Sequence, residues 1–130
     1  MKSLVVEDDF TSRFLLQTIL SLYGECHGAV NGREALTVYR KAKEKGEPFD
    51  LICLDIMMPE MDGLEALRHF RSLEKEEDLS DQSGVKIIMT TALSDTENMN
   101  QAMKNSCDAY LVKPINKSKL LDHLKSFGLI

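Results

Sequence analysis

The sequence predicts a doubly wound α/β domain: a parallel five-stranded sheet covered by helices on both faces, a three-layer sandwich. Three observations carry that prediction. Short β-rich runs alternate from end to end with stretches of helical periodicity. The runs are continuously apolar, as strands buried on both faces are. The length, 130 residues, fits five such strand–helix units and one domain.

The first strand is expected at 3–6 (SLVV), and helix one follows, with Phe14, Leu15, Thr18, Ile19 and Leu22 spaced three and four apart and Gly24 after its end. The second strand is expected at about 25–30 (ECHGAV). Asn31-Gly32 then marks a turn before helix two, whose apolar positions are Ala35, Leu36, Val38, Tyr39 and Ala42, closed by KEKGE before Pro48. Strand three is read at 50–54 (DLICL), and helix three follows Gly63 with Leu64, Leu67, Phe70 and Leu73. The polar stretch Glu74–Gly84 (EKEEDLSDQSG) reads as a solvated loop. Strand four is expected at 86–90 (KIIMT) and a fourth helix carries Met99, Ala102 and Met103, with Ser94 or Asp95 as its cap. Strand five is expected at 109–112 (AYLV), and helix five shows Leu120, Leu121, Leu124 and Phe127 before Gly128.

Composition narrows the function classes. The chain is 43% hydrophobic and 28% charged, as soluble globular domains are. No apolar run approaches the ~20 residues that cross a bilayer, and no secretory pattern opens the chain, so a cytoplasmic location is expected. Cys26, Cys53 and Cys107 are far apart and odd in number, which supports neither a disulfide framework nor a zinc site. His27, His69 and His123 are equally scattered and read as surface residues. With a net charge of −5 and no basic stripe, direct nucleic-acid binding is not expected.

In an open α/β sheet, ligands bind beyond the carboxyl ends of the strands. Strand one hands over to Glu7-Asp8-Asp9, strand three to Asp55, strand four ends in Thr90-Thr91-Ala92, and strand five ends in Val112-Lys113-Pro114. An acidic turn, a threonine or a lysine in such a place is usually a solvated helix start, a cap or a surface charge. An aspartate after LICL is harder to dismiss, because a buried carboxylate needs compensation. Together they describe chemistry: neighbouring carboxylates repel, a hard cation with oxygen ligands relieves the repulsion, and Mg2+ keeps positions open for phosphate oxygens. A carboxylate nucleophile attacking phosphorus needs that help, with a lysine and a hydroxyl holding the remaining phosphoryl oxygens.

The words LVVEDD (4–9), NGREAL (31–36), DLICLDIMMPEMDG (50–63), MTTA (89–92) and YLVKP (110–114) resemble the receiver domain of two-component response regulators, in order and spacing, over essentially the whole chain. The resemblance implies a flavodoxin-like sheet in the order 2-1-3-4-5. It implies Asp55 as phosphoacceptor, Asp8 as a direct Mg2+ ligand, Glu7 holding the ion through water, and the backbone carbonyl of Met57 as a further ligand. Thr91 takes the place of the switch hydroxyl, Lys113 of the lysine that pairs with the phosphoryl group, and the Lys113–Pro114 bond is expected to be cis. Tyr110 matches the aromatic whose rotamer accompanies switching, though a strand aromatic packed on helix four explains it as well. Pro59 and Gly63 are accounted for by turn chemistry, and Asp9 by a solvated place at the start of helix one.

Such a receiver is not a conventional enzyme. A sensor histidine kinase or histidine phosphotransfer protein supplies the phosphoryl group, and a downstream target protein reads it. The face of the fourth and fifth helices and the fifth strand, roughly residues 95–127, is the expected surface of change. Because the chain stops at Ile130, the expectation is one receiver domain over 1–130 with no output domain, as a monomer or weak dimer. A haloacid-dehalogenase-type phosphatase would need a second acid where Met57 stands, and a flavin carrier a phosphate-cradling loop where Glu7-Asp8-Asp9 stand. A pseudo-receiver that binds partners without phosphorylation should lack part of the acid, threonine and lysine set, which is complete here. Apolar Met57 and Leu93 flank the acceptor and switch positions and cannot orient an attacking water, so slow loss of the phosphoryl group is expected.

Overall fold

The computed structural model describes residues 1–58, 61–76, 84–92 and 107–130. Its elements in chain order are β1 (Ser3–Val6), α1 (Phe10–Leu20), β2 (Cys26–Ala29), α2 (Gly32–Glu44), β3 (Leu51–Asp55), α3 (Gly63–Glu76), β4 (Lys86–Thr91), β5 (Ala109–Val112) and α4 (Lys117–Ser126). All strands pair in parallel, in the order β2-β1-β3-β4-β5. The α4 helix is the fifth helix of the sequence reading. The expected fourth helix, its caps Ser94 or Asp95, and the positions of Pro59 and Leu93 lie outside the described residues.

Side chains alternate across the sheet and divide the core in two. Leu4, Val6, Ile52, Leu54, Ile87 and Met89 face α2 and α3, where Tyr39 and Phe70 meet edge to face at 5.1 Å. Val5, Leu51, Cys53, Ile88, Ala109 and Leu111 face α1 and α4. Burial on both faces explains why β1, β3 and β4 read as apolar runs, whereas the edge strands β2 and β5 are partly exposed.

Local chemistry fixes the helix ends. The side chains of Asp9, Asn31, Asp62 and Asn116 accept hydrogen bonds from the backbone N–H groups of Ser12, Glu34, Glu65 and Lys119, each capping a helix. Gly128 closes α4 at a positive φ of 75°, its N–H and that of Leu129 bonding back to Lys125 and Leu124. Gly24 does not do this for α1: the helix ends at Leu20 with Ser21 as its cap, and Gly24 lies in the turn into β2.

Two expectations need correction. The buried stripe of α1 is Leu16, Ile19 and Leu20, whereas Phe14, Leu15 and Leu22 are exposed, Phe14 at 61%. Apolar residues occur around most of this helix, so spacing alone selects more than one stripe. Glu74 is also no loop residue. It lies in the last turns of α3, where its carboxylate accepts from the Val85 N–H at 2.8 Å and pairs with Arg71 at 2.8 Å.

Candidate functional site

The sheet register brings the candidate residues to one edge. Val6 is level with Leu54, Asp55 with Thr90, and Thr91 with Val112. Asp55 and Thr91 are the last residues of their strands rather than the first residues beyond them. Both are buried, as is Glu7, with Glu7 only 1% and Asp55 only 4% exposed, while Asp8 is open to solvent.

Carboxylate oxygens of Glu7, Asp8 and Asp55 all lie within 4.8 Å of one another. The cation facing them is Lys113, whose Nζ is 2.8 Å from Glu7 Oε2 and 3.4 Å from Asp55 Oδ2. The Lys113–Pro114 peptide is cis. Burial pushes the Asp55 carboxyl up to about 7, and the Glu7 carboxylate adds to the rise; Lys113 and the Met57 N–H, which donates to Asp55 Oδ1 at 3.3 Å, oppose it. Lys113 is held above the usual lysine value: burial works against its charge, but the close contact with Glu7 and the charges of Asp55 and Glu7 outweigh that.

Glu7 is held by hydrogen bonds at its N–H, its carbonyl and Oε1, while buried Oε2 has the Lys113 ion pair but no hydrogen bond of good geometry. Its N–H donates to the Ala29 carbonyl at 3.0 Å, and its Oε1 accepts from the Asp9 N–H at 3.2 Å. Oε2 meets Lys113, and its carbonyl accepts from Arg13 Nη1 at 2.8 Å. Arg13 did not stand out in the sequence; an arginine six residues past Glu7, on the helix that leaves the acidic turn, is the signal that could have found it.

The remaining candidates surround this centre. The Thr91 hydroxyl donates to the Ala92 carbonyl at 3.1 Å. Met57 and Tyr110 are both exposed, and the fourth helix on which Tyr110 could pack lies outside the described residues. Asp9 is the exposed N-cap of α1, with its carboxyl held below the usual range by the Ser12 hydrogen bonds. Gly63 has a reason beyond turn chemistry. Its N–H donates to the Ile56 carbonyl at 2.8 Å, and a Cβ there would collide with the Asp55 carbonyl and stand 2.7 Å from Ile56 Cα. The start of α3 therefore lies directly against the end of β3.

A family model described as the response regulator receiver domain matches residues 3–125. The chain belongs to that family. It is 35% identical to a probable transcriptional regulator, ycf27, of Porphyridium aerugineum over 96% of this chain and 47% of that protein. It is 31% identical to the osmosensing histidine protein kinase SLN1 of Saccharomyces cerevisiae over 98% of this chain and 10% of that one. The chain thus spans less than half the length of these curated relatives. Among solved structures, chemotaxis protein CheY4 of Vibrio cholerae superposes with a TM-score of 0.78 at 28% identity, covering 97% of each chain. The co-crystal structure of the S. cerevisiae histidine phosphotransfer protein Ypd1 with the receiver domain of Ssk1 contains a chain with a TM-score of 0.81 at 27% identity, covering 98% of this chain and 88% of that one.

This is therefore a receiver domain of two-component signalling, a phosphorylation-related signalling module rather than a conventional enzyme. Receiver domains bind Mg2+ through acidic residues, and the donors here suit such an ion. They are hard carboxylate oxygens, two of the three carboxylates are buried, and one lysine answers them. Among the described residues, no helix is long and apolar enough to cross a membrane.

Proposed function

We propose that this receiver accepts a phosphoryl group on Asp55 from the phosphohistidine of a sensor histidine kinase or a histidine phosphotransfer protein. The observation that carries the reading is the gathering of buried Glu7 and Asp55 with exposed Asp8 within 4.8 Å, with Lys113 paired to both buried carboxylates. Asp55 Oδ attacks phosphorus in line, the P–N bond to the donor histidine breaks, and the imidazole leaves with the bonding electron pair and takes up a proton. Asp8, Asp55 and the Met57 carbonyl would hold Mg2+, with Glu7 reaching it through water. Bound there, the ion neutralises charge on the transferred oxygens. Lys113 turns from Asp55 to a phosphoryl oxygen, and Thr91 leaves the Ala92 carbonyl to donate to another.

The movement of Thr91 and a turn of Tyr110 change the face that includes β5 and α4, where a downstream target protein binds. The receiver domain itself is monomeric or weakly dimeric. Exposed Met57 offers no polar group to orient a hydrolytic water, so the phosphoryl group is long-lived for this family.

The test is incubation with acetyl phosphate, with and without Mg2+, followed by intact mass. Wild type gains one phosphoryl group only with Mg2+, and Asp55→Asn, folded by circular dichroism, gains none. Modification that survives Asp55→Asn overturns the assignment. A wild-type protein that is never modified by acetyl phosphate or by beryllofluoride favours instead a pseudo-receiver that binds partners unphosphorylated.

A further inference from the structure

We infer that Arg13 is a positioning residue for the acidic turn, holding the Glu7 main chain so that the carboxylates of Glu7 and Asp8 face Asp55. The inference rests on the metal-site reading above and concerns a residue that reading does not use. The turn must place two carboxylates against a third, an arrangement that their mutual repulsion opposes. The Glu7 side chain is held by Lys113 and the Asp9 N–H, and its N–H by β2. Its carbonyl, which leads into Asp8, is held by the Arg13 guanidinium at 2.8 Å.

The surroundings of Arg13 are shaped to keep it there. Its guanidinium lies 5.7 Å from the centroid of the Phe10 ring, which stacks in turn on Phe14 at 5.9 Å. On β2, Gly28 leaves room for its stem: a Cβ at that position would stand 3.3 Å from Arg13 Cδ and 2.6 Å from the Gln17 amide nitrogen. The arginine is thus confined between a ring on its own helix and a bare stretch of the neighbouring strand, with its donor aimed at one carbonyl.

Charge and position predict opposite outcomes here. A guanidinium beside a cation site repels the cation, so on Coulomb grounds alone its removal tightens Mg2+ binding. If Arg13 acts by position, its removal weakens binding, because the turn relaxes and the carboxylates separate. The experiment is Mg2+ titration by calorimetry of wild type, Arg13→Ala, Arg13→Lys, Gly28→Ala and Asp8→Asn, with amide hydrogen exchange of residues 7–9 in Mg2+-free protein.

The expected result is a weakening of Mg2+ binding by roughly fivefold or more in Arg13→Ala, partial recovery in Arg13→Lys, and a smaller loss in Gly28→Ala. Faster exchange of the Asp8 and Asp9 amides in Mg2+-free Arg13→Ala is expected with it. An unchanged or tighter Mg2+ affinity in Arg13→Ala, beside a clear loss in Asp8→Asn, overturns this inference and leaves the metal-site reading standing. Wild-type protein that binds no Mg2+ overturns both. Unchanged exchange at residues 7–9 overturns the positioning role whatever the metal does.

Discussion

Both ends of the sheet carry a cluster of charged side chains, and the two are balanced differently. At the amino end, Arg71 donates to Glu74, to the Val85 carbonyl and to Asp108, while Lys86 stands 4.0 Å from Asp108. The two carboxylates there also accept from the backbone N–H groups of Val85 and Ile87. Among the described residues two acids answer two bases, and the cluster ties α3 to the starts of β4 and β5. At the carboxyl end, Glu7, Asp8 and Asp55 lie within 4.8 Å of one another, and among the described residues Lys113 is the cation paired with their carboxylates, while Arg13 reaches the Glu7 carbonyl instead. The first arrangement is complete without any ligand. The second carries uncompensated negative charge, and the Asp55 carboxyl relieves it by holding a proton up to about pH 7. The same residue types serve as a clasp or as a site according to whether their charges close.

The largest expected effect comes from opening the closed cluster. Arg71→Ala leaves Glu74 and Asp108 without their shared cation, at a cost of roughly 2–4 kcal/mol, discounted for partial exposure of the group. Urea unfolding should show the same loss with and without Mg2+, because nothing at the other end is touched. A loss that Mg2+ reverses would mean that the two ends are coupled.

A smaller effect, opposite in sign, is expected at the open cluster. Asp55 has an ordinary value of 3.8, raised to about 7 in the fold, so the folded chain binds the additional proton between those limits. Its contribution to Mg2+-free stability is therefore fully present below about pH 4 and is lost as pH rises through about 7. Asp55→Asn should stabilise the Mg2+-free protein by about 1–3 kcal/mol at pH 8 and change little at pH 4. Thermal melts across that range check the sign; a destabilised Asp55→Asn at pH 8 would show that Lys113 already compensates the site.

The smallest effect sharpens the contrast from the other side. Lys86 approaches Asp108 only at 4.0 Å, and Arg71 already satisfies that carboxylate. Lys86→Ala should therefore cost no more than about 0.5 kcal/mol by urea unfolding.

These clusters also differ in how well the sequence displays them. The carboxyl-end site was legible because each of its residues ends or follows a strand, and the topology sends all parallel strands toward one edge. The amino-end clasp was not. Arg71 and Asp108 are 37 residues apart, and Glu74 opens a polar stretch whose composition suggests only solvent. The strands and α2, α3 and α4 were readable from periodicity. The buried side of α1 was not, because Phe10, Phe14, Leu15, Leu16, Ile19, Leu20 and Leu22 surround the helix and only docking on the sheet selects among them. Arg13 was hidden for a related reason: its partner is a backbone carbonyl, which no residue pattern records.

Gly63 sets how unevenly this site can tolerate change. Asp8 is exposed and its side chain can be altered without disturbing the core, so chemistry there is separable from folding. At position 63 even a methyl group meets the main chain of Asp55 and Ile56. A helix that begins in contact with the backbone of Asp55 has no slack against it. Substitutions at Gly63 should therefore shift α3 and the end of β3 together, making this silent residue as intolerant of change as Asp55 itself.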